Sequence, residues 1–259
     1  MPSRRLPLAV VICLLLALVV GSWWLFVRLG STPSEGPTDS GVLGPPPDDR
    51  RPNIILVTLD TVRADRLSSY GASRPDTPHI DALAAEGVLF LDAATTVPFT
   101  LPAHSSMMTG VYPPRHGVRE NVGYVLDERL PTLAEHLRDA GWDTAAFVSS
   151  FVLDSRWGIA RGFDTYFDDF ELEEDKPANL GSVQRDGAET VRRAIEWLDR
   201  APERVEARSP DEVDALSGRE PFFLWLHLFD AHDPYEPPEP FASRYPLHPY
   251  EAEVAYVDS

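Results

Sequence analysis

The chain has 259 residues, with 23 Lys or Arg against 41 Asp or Glu, so its formal net charge is −18. Hydrophobic residues make up 43% of it, which excludes a wholly disordered chain and allows one large domain or two small ones. The acidic excess excludes general nucleic-acid binding, and the single cysteine, Cys13, excludes an internal disulfide, cysteine-ligated zinc and cysteine catalysis in the folded part.

The N-terminal region contains an apolar run of 22 residues without a charged side chain, Leu6–Val27. About 20 such residues cross a bilayer as a helix. Arg4 and Arg5 precede the run, which favours a cytoplasmic N-terminus. We therefore expect residues 1–28 to form a single membrane anchor that places the remaining chain on the extracytoplasmic side. A cleaved secretory signal is the alternative, although no small-residue cleavage site follows the run.

A tether is expected next, because residues 29–51 are rich in Pro, Gly, Ser and Asp and cannot bury a core. The folded domain is expected to span residues 52–259. The helical pattern at Glu251–Ser259 has no glycine or proline stop. We therefore expect this domain to be the N-terminal part of a longer one, truncated at its C-terminus and inactive as the fragment alone.

Apolar runs and amphipathic segments alternate after the tether. The runs predict strands at Asn53–Leu59, Val88–Leu91, Thr144–Val148 and Phe222–Leu228. Helices are predicted from Pro78 to a stop at Gly87, from Thr100 as far as Gly110, and over Thr132–Ala140, Val183–Arg200 and Glu251–Ser259. Residues 201–220 are charged and predict a surface excursion. This alternation predicts an α/β fold with a mostly parallel central sheet flanked by helices.

The first candidate site residues are Asp60 and Thr61, which directly follow the first predicted strand. Ligands collect at the carboxyl ends of strands in open parallel sheets. A carboxylate there is a suitable ligand for a hard metal ion, and Thr61 would add an oxygen or a contact to bound water. A turn or helix-capping aspartate is the alternative interpretation.

The second candidate is Thr100, which precedes Leu101 and Pro102 at the start of a predicted helix. A hydroxyl at a helix N-terminus lies where free N–H groups and the helix dipole favour an anion. A phosphate or sulfate ester is such an anion. Ordinary helix capping by threonine is the alternative.

The third candidate region follows the last predicted strand and contains two histidines and two aspartates: His227, Asp230, His232 and Asp233. This density of polar groups is typical of a metal or anion site. The alternative is that these side chains merely solvate the end of a strand.

Five stretches resemble, in order, the sulfatase family of the alkaline phosphatase superfamily. They are RPNIILVTLDTVRADRLSSYG (51–71), TPHIDALAAEGVLF (77–90), TLPAHSSMMTGVYPPRHGV (100–118), GFDTYFDD (162–169) and PFFLWLHLFDAHDPYEPP (221–238). The resemblance implies the family's parallel α/β fold and ester hydrolysis with a divalent metal ion. It covers nearly the whole region from residue 51 to residue 259.

The family's site residues carry over by position. Asp60 matches the first aspartate of a metal-binding Asp-Asp pair, and Thr61 replaces the second. Thr100 matches the nucleophile, a cysteine or serine that sulfatases oxidise to formylglycine, and it also contacts the metal. His104 stands where the family has an arginine. The substrate-facing histidine of the family matches His232 and, less closely, His227. Phe147-Val148-Ser149-Ser150 occupies the place of a family Lys-x-His, and further metal ligands are expected beyond residue 259.

These departures favour phosphoester chemistry at Thr100, because phosphothreonine can be hydrolysed at phosphorus whereas sulfothreonine is hard to turn over. The resemblance therefore implies an anionic ester as substrate and calcium as the metal ion, or zinc or manganese for a phosphoesterase. Two alternatives stay open: a true sulfatase, and a degenerate domain that binds an anionic glycan or lipid head group without catalysis.

Overall fold

The computed structural model describes residues 51–170, 183–200 and 221–259. Its strands are β1 (Ile54–Leu59), β2 (Asp143–Val148), β3 (Thr165–Phe167) and β4 (Phe222–Leu228). Its helices are α1 (Pro78–Glu86), α2 (Thr100–Thr109), α3 (Pro113–His116), α4 (Leu133–Asp139), α5 (Gly187–Asp199), α6 (Phe241–Arg244) and α7 (Pro249–Val257). Short 3-10 turns occupy Ala64–Arg66, Ser68–Tyr70, Phe151–Leu153 and Ser155–Trp157.

Three sequence predictions lie outside the described residues: the apolar run Leu6–Val27, the tether at 29–50 and the charged excursion at 201–220. Within the ranges that the structure describes, no helix has the length and apolar character that a membrane crossing requires.

The four strands form one parallel sheet in the order β1-β4-β2-β3. The predicted α/β fold with a parallel sheet flanked by helices is therefore confirmed. In β4, Phe223 pairs with Ile54 and Leu228 with Leu59. Because all strands run in the same direction, their carboxyl ends meet at one edge of the sheet, and this edge holds the candidate site.

Side chains of β4 alternate between the two faces of the sheet, as a period of two requires. Phe223 and Trp225 join a core with Leu101 of α2. Leu224, on the opposite face, packs with Trp197 of α5. His227 follows Phe223 and Trp225 in this alternation, and it therefore lies on the face that α2 covers.

The α2 face contains the larger core, in which Trp225 is fully buried against Leu101 and Phe163. Burying a side chain of this size contributes about 4–6 kcal/mol of transfer free energy. The Trp225 indole N–H is also satisfied, because it donates to Thr58 Oγ1 at 3.1 Å. This packing holds α2 against the face of the sheet that carries Phe223 and Trp225.

The predicted strand at Val88–Leu91 is wrong. These residues have no regular structure, and Val88, Phe90 and Leu91 are 80%, 71% and 82% exposed. A four-residue apolar run does not by itself determine a strand, and this one has no pairing partner among the described residues. The sheet gains instead β3, whose three residues are too few to show a period in the sequence.

The long helix begins later than predicted, at Gly187 rather than Val183. Asp186 caps its N-terminus by accepting from the Ala188 N–H at 2.8 Å. The preceding residues run beside the end of β2, where the Arg185 N–H donates to the Ser149 carbonyl at 2.7 Å. These bonds hold Val183–Arg185 in an extended conformation. The helix therefore does not include these three residues, which the sequence had assigned to it.

Candidate active site

Asp60 lies directly after β1, where its N–H donates to the Leu228 carbonyl of β4 at 2.9 Å. Its side chain is 11% exposed. Burial alone would raise the pKa of the Asp60 carboxyl, but the neighbouring His227 and the Thr100 hydroxyl together hold that pKa below its usual range. The site therefore contains an ionised carboxylate at the carboxyl edge of the sheet.

Thr100 is the first residue of α2 and its hydroxyl donates to Asp60 Oδ2 at 2.8 Å. The N-cap residue of this helix is Phe99, and no side chain caps the helix end. Helix capping by Thr100 is therefore excluded. The hydroxyl is instead held by a carboxylate from a different element, 40 positions away in the chain.

The start of α2 is a poorer anion site than the sequence suggested. The Leu101 N–H donates to Asn121 Oδ1 at 3.0 Å, and Pro102 has no N–H. Two of the first N–H groups of the helix are therefore unavailable to a ligand. No sequence pattern marks Asn121, which lies in an irregular stretch after α3, so its role was missed.

His104 lies one turn after Thr100 in α2 and is only 5% exposed. Its Nδ1 is 2.7 Å from the Thr100 carbonyl oxygen. A carbonyl only accepts, so this bond places a proton on Nδ1. Burial, followed by the proximity of His227, lowers the pKa of His104 to about 4. The imidazole is therefore neutral at neutral pH.

His227 is completely buried on β4, with its Nε2 3.5 Å from Asp60 Oδ2. Its ring meets the His104 ring edge-on, with the centroids 5.0 Å apart. It lies behind Asp60 and is not among the residues that line the adjacent cavity. His227 thus contacts the candidate site from the protein interior.

His232 lies in the loop after β4, and the structure places it apart from the Asp60 cavity lining. Its ring stacks on Phe229 at a centroid distance of 4.1 Å. Its Nδ1 is 2.8 Å from the Asp233 carbonyl oxygen. Direct contacts therefore link Asp60, Thr100, His104 and His227, whereas the contacts described for His232 are with Phe229 and Asp233.

Thr61 lines the same cavity as Asp60 but directs its hydroxyl elsewhere. Its φ of 53° is left-handed, an unfavourable conformation for a β-branched residue. The hydroxyl donates to the Ala231 carbonyl at 2.5 Å, and the Thr61 carbonyl accepts from Tyr250 at 2.9 Å. Thr61 therefore ties the loop after β1 to the loop after β4 and to α7.

Glu253 of α7 holds the loop after β4, although the sequence did not suggest this role. Its carboxylate accepts from the Ala231 N–H at 2.9 Å and from the Glu236 N–H at 2.5 Å. The residue is 5% exposed, and burial raises the pKa of Glu253 to about 7. The one available signal in the sequence was an acidic residue within the apolar stretch Ala252–Ala255.

A cavity of about 850 Å³ lies beside Asp60 and Thr100. Its wall includes the end of β1, the loop Ala93–Phe99 and the outer side of α2. Among the described residues that line it, Asp60 is the single acid, and neither Lys nor Arg contributes. The cavity thus presents a carboxylate, hydroxyl groups, the His104 imidazole and apolar side chains to a ligand.

The oxygens of Asp60 and Thr100 are the kind of ligand that a hard divalent cation takes. The pair fits such an ion in its chemistry but forms only part of a ligand set. Within the described ranges, no group of three or more His, Cys, Asp or Glu side chains is arranged to hold a metal ion. Calcium takes about six to eight oxygen ligands, so these residues would need others beside them.

The parallel sheet and the carboxylate–hydroxyl pair at its carboxyl edge define an α/β protein with a hydrolase-type site. The chain belongs to the sulfatase family, whose model matches residues 52–259. This confirms the resemblance to the sulfatase family, and the structural neighbours include sulfatases and a phosphonate monoester hydrolase. Characterised members of the family are hydrolytic enzymes.

Two curated relatives match most of the folded region. The uncharacterised sulfatase YidJ of Escherichia coli is 26% identical over 213 residues, covering 76% of this chain and 41% of that protein. Choline-sulfatase of Rhizobium meliloti is 29% identical over 203 residues, covering 71% of this chain and 39% of that protein. The chain therefore spans about two fifths of the length of these relatives.

Two solved structures share the fold. The phosphonate monoester hydrolase of Agrobacterium radiobacter has a TM-score of 0.55 and 25% identity, covering 74% of this chain and 44% of that one. A protein solved with its substrate D-glucosamine-2-N,6-O-disulfate has a TM-score of 0.58 and 20% identity, covering 76% and 38%.

Proposed function

We propose that the complete protein is a metal-dependent hydrolase of anionic esters in which the Thr100 hydroxyl is the nucleophile. The observation that carries this proposal is the 2.8 Å hydrogen bond from Thr100 Oγ1 to Asp60 Oδ2 in the wall of an open cavity. A hydroxyl held by an ionised carboxylate from another element is suited to attack a bound ester.

A divalent cation is part of the proposal because of the charges in the cavity. An anionic ester that enters would face the Asp60 carboxylate without any Lys or Arg among the described lining residues. Asp60 and Thr100, with Thr61 nearby, would hold calcium, or zinc or manganese. Such an ion supplies positive charge that attracts the ester and lowers the pKa of a coordinated hydroxyl.

We further propose that phosphoesters are preferred over sulfate esters. A formylglycine hydrate releases sulfate by collapsing to its aldehyde, but the alkoxide of Thr100 has no such route. A phosphorylated Thr100 can instead be attacked in line at phosphorus by water. The phosphonate monoester hydrolase among the structural neighbours supports phosphorus chemistry on this fold.

The reaction would proceed in two balanced displacements at phosphorus. Thr100 Oγ1 bonds to phosphorus, the bond to the leaving alcohol breaks, and the hydroxyl proton leaves with that alcohol. Water then attacks phosphorus, and the bond to Oγ1 breaks as the Thr100 hydroxyl regains a proton. Because the pKa of Asp60 is lowered, its carboxylate is a weak base and mainly orients the hydroxyl.

A true sulfatase is the second candidate, because the curated relatives carry names such as choline-sulfatase and steryl-sulfatase. A non-catalytic anion-binding domain is the third, because the described residues supply only part of a metal-ligand set.

Three variants of the complete protein test the nucleophile. We expect Thr100→Ala to lower kcat for an aryl phosphate monoester or diester by roughly 10³-fold or more, whereas Thr100→Ser keeps the attacking oxygen and most of the activity. Asp60→Ala should lose metal binding together with activity. Mass spectrometry after an acid quench should find phosphate on Thr100.

The same assays separate the three candidates. Faster hydrolysis of an aryl sulfate than of the matched phosphate would favour the sulfatase, and a lack of hydrolysis of either ester would favour the binding domain. Full activity of Thr100→Ala would contradict the role of the hydroxyl and leave water as the nucleophile.

A further inference from the structure

Two buried histidines from different elements pack beside the Asp60–Thr100 pair, and of the two only His104 also lines the cavity. His104 belongs to α2 and His227 to β4, and they are 5% and 0% exposed. Their rings meet edge-to-face, with centroids 5.0 Å apart and an interplanar angle of 76°. Trp225 adjoins both rings, at centroid distances of 5.5 Å from His104 and 6.4 Å from His227.

His104 is tied to the backbone of the proposed nucleophile. Its Nδ1 lies 2.7 Å from the Thr100 carbonyl, which accepts a proton and cannot donate one. This bond fixes the Nδ1–H tautomer, leaving a lone pair on Nε2. That atom has no hydrogen-bond partner among the described residues. The ring orientation of His104 is therefore set by Thr100 on one side and by His227 on the other.

His227 approaches the same carboxylate oxygen that receives the Thr100 hydroxyl. The distance from His227 Nε2 to Asp60 Oδ2 is 3.5 Å, longer than the 2.7–3.2 Å of an ordinary N–H···O bond. The contact is therefore mainly electrostatic. A lone pair on Nε2 would be repelled by the carboxylate, so the favourable tautomer carries its proton on Nε2 and points it at Asp60.

We propose that His104 and His227 are positioning residues that together set the orientation of Asp60 Oδ2 toward the Thr100 hydroxyl. His227 presents an N–H to the Asp60 carboxylate from the protein interior. His104 contacts the His227 ring and also donates to the Thr100 carbonyl. The relation to catalysis rests on the function proposed above. The alternative is that both rings only fill space in the core.

Matched substitutions separate a donor role from packing. Gln and Met have similar shapes, but only the Gln side chain offers an N–H near the position of imidazole Nε2. We expect His227→Met to lower kcat by roughly 10–100-fold, as loss of a group that supports a ligating side chain typically does, with little change in KM. His227→Gln should retain most of the kcat. His104→Asn and His104→Leu make the same comparison, because the Asn side chain can donate to the Thr100 carbonyl and the Leu side chain cannot. The Asn variant should therefore retain more of the kcat than the Leu variant.

A second measurement does not depend on activity. Nitrogen-15 NMR of the histidine-labelled complete protein at neutral pH should show a neutral Nδ1–H tautomer for His104 and an Nε2–H tautomer for His227, assigned by comparison with the two variants. The opposite tautomer at either residue would overturn the proposed contacts.

The two measurements distinguish the possible failures. Equal kcat values for the Met and Gln variants at position 227 would show packing alone and refute the positioning role, even if the enzyme is active. Expected tautomers in a protein that hydrolyses neither phosphate nor sulfate esters would preserve the contacts and refute the proposed function instead.

Discussion

At the scale of single residues, the resemblance to the family implies a site that differs from the family's pattern mainly in charge. By that resemblance, Thr61 stands in the place of a second aspartate and His104 in the place of an arginine. The pKa of His104 is lowered to about 4 by burial, so this replacement removes a positive charge from the site. Asp60 therefore keeps its ionised state through His227 and Thr100 rather than through a permanent cation.

Restoring the second aspartate should strengthen cation binding. The left-handed φ of 53° at Thr61 is easier for Asp than for a β-branched residue, and Thr61 lines the cavity beside Asp60. We expect Thr61→Asp to lower the calcium Kd of the complete protein by about tenfold, equivalent to about 1.4 kcal/mol. Isothermal titration measures this change.

Thr61→Asn is the charge control, since it has the shape of Asp without the charge; unlike Asp, it retains an N–H that can donate to the Ala231 carbonyl. Equal calcium affinities for the Asp and Asn variants would show that position 61 does not face the ion.

The contact between His104 and His227 could not be predicted from the sequence. Each histidine belongs to a motif that was recognised, and β4 was predicted with its exact bounds. The two rings meet only because α2 packs on one particular face of β4 and at one particular distance from it. The core around Trp225 determines both the face and the distance. Periodicity gives the face of a strand but not the helix that packs there.

At the scale of elements, α7 matters to the site because Glu253 anchors the loop after β4. Both N–H groups that it binds, those of Ala231 and Glu236, belong to this loop. Burial raises the pKa of Glu253 to about 7, above its ordinary value of 4.5. The neutral carboxyl is therefore favoured by folding, and its contribution is complete below pH 4.5 and is lost as pH rises through 7.

The direction of the Glu253 pKa shift gives a prediction for thermal stability. Because Glu253→Gln has no carboxyl to ionise, the variant should lose less stability than the parent protein between pH 5 and pH 8. A full shift from 4.5 to about 7 corresponds to about 3 kcal/mol at most, and partial exposure of the loop would reduce it. Calorimetric Tm values at several pH values measure the difference.

The Glu253→Gln variant also changes the hydrogen bonding, because its one amide oxygen replaces two carboxylate oxygens as the acceptor for the two N–H groups. That change is independent of pH and should shift the whole curve. Parallel curves for Glu253→Gln and the parent protein would contradict the raised pKa of Glu253.

Long apolar strands were predictable, whereas marginal elements were not. The continuous apolar runs of β1 and β4 both form parallel strands. Between these two strands, burial on both faces is seen mostly in β4, because Ile55 and Val57 of β1 are 56% and 48% exposed in the described structure. Val88–Leu91 shows the limit, since its apolar side chains are exposed and unpaired in the described structure. The rule that ligands collect at the carboxyl edge pointed to Asp60, whereas Thr100 was proposed from its place at a helix N-terminus and was joined to Asp60 by the family resemblance. In the structure the two side chains meet across 40 positions of the chain.

At the scale of the whole molecule, the net charge of −18 works against an anionic substrate. Repulsion between exposed charges extends over a Debye length of about 8 Å at physiological ionic strength. An ester near Asp60 would also meet this carboxylate within the cavity. A bound cation close to Asp60 would act at shorter range than the surface charge, which is a further argument for the metal in the proposed function.

The last prediction concerns the apolar run Leu6–Val27, which we propose as a membrane anchor. The complete protein should stay in the membrane pellet after alkaline carbonate extraction, because 22 uncharged residues are long enough to span a bilayer. Changing Leu15 and Leu16 together to Lys should release it, since each charge at the centre of a span costs about 3 kcal/mol. Changing both to Ile is the matched control and should leave it in the pellet. Recovery of a soluble parent protein that begins near residue 28–32 would show a cleaved signal and contradict the anchor.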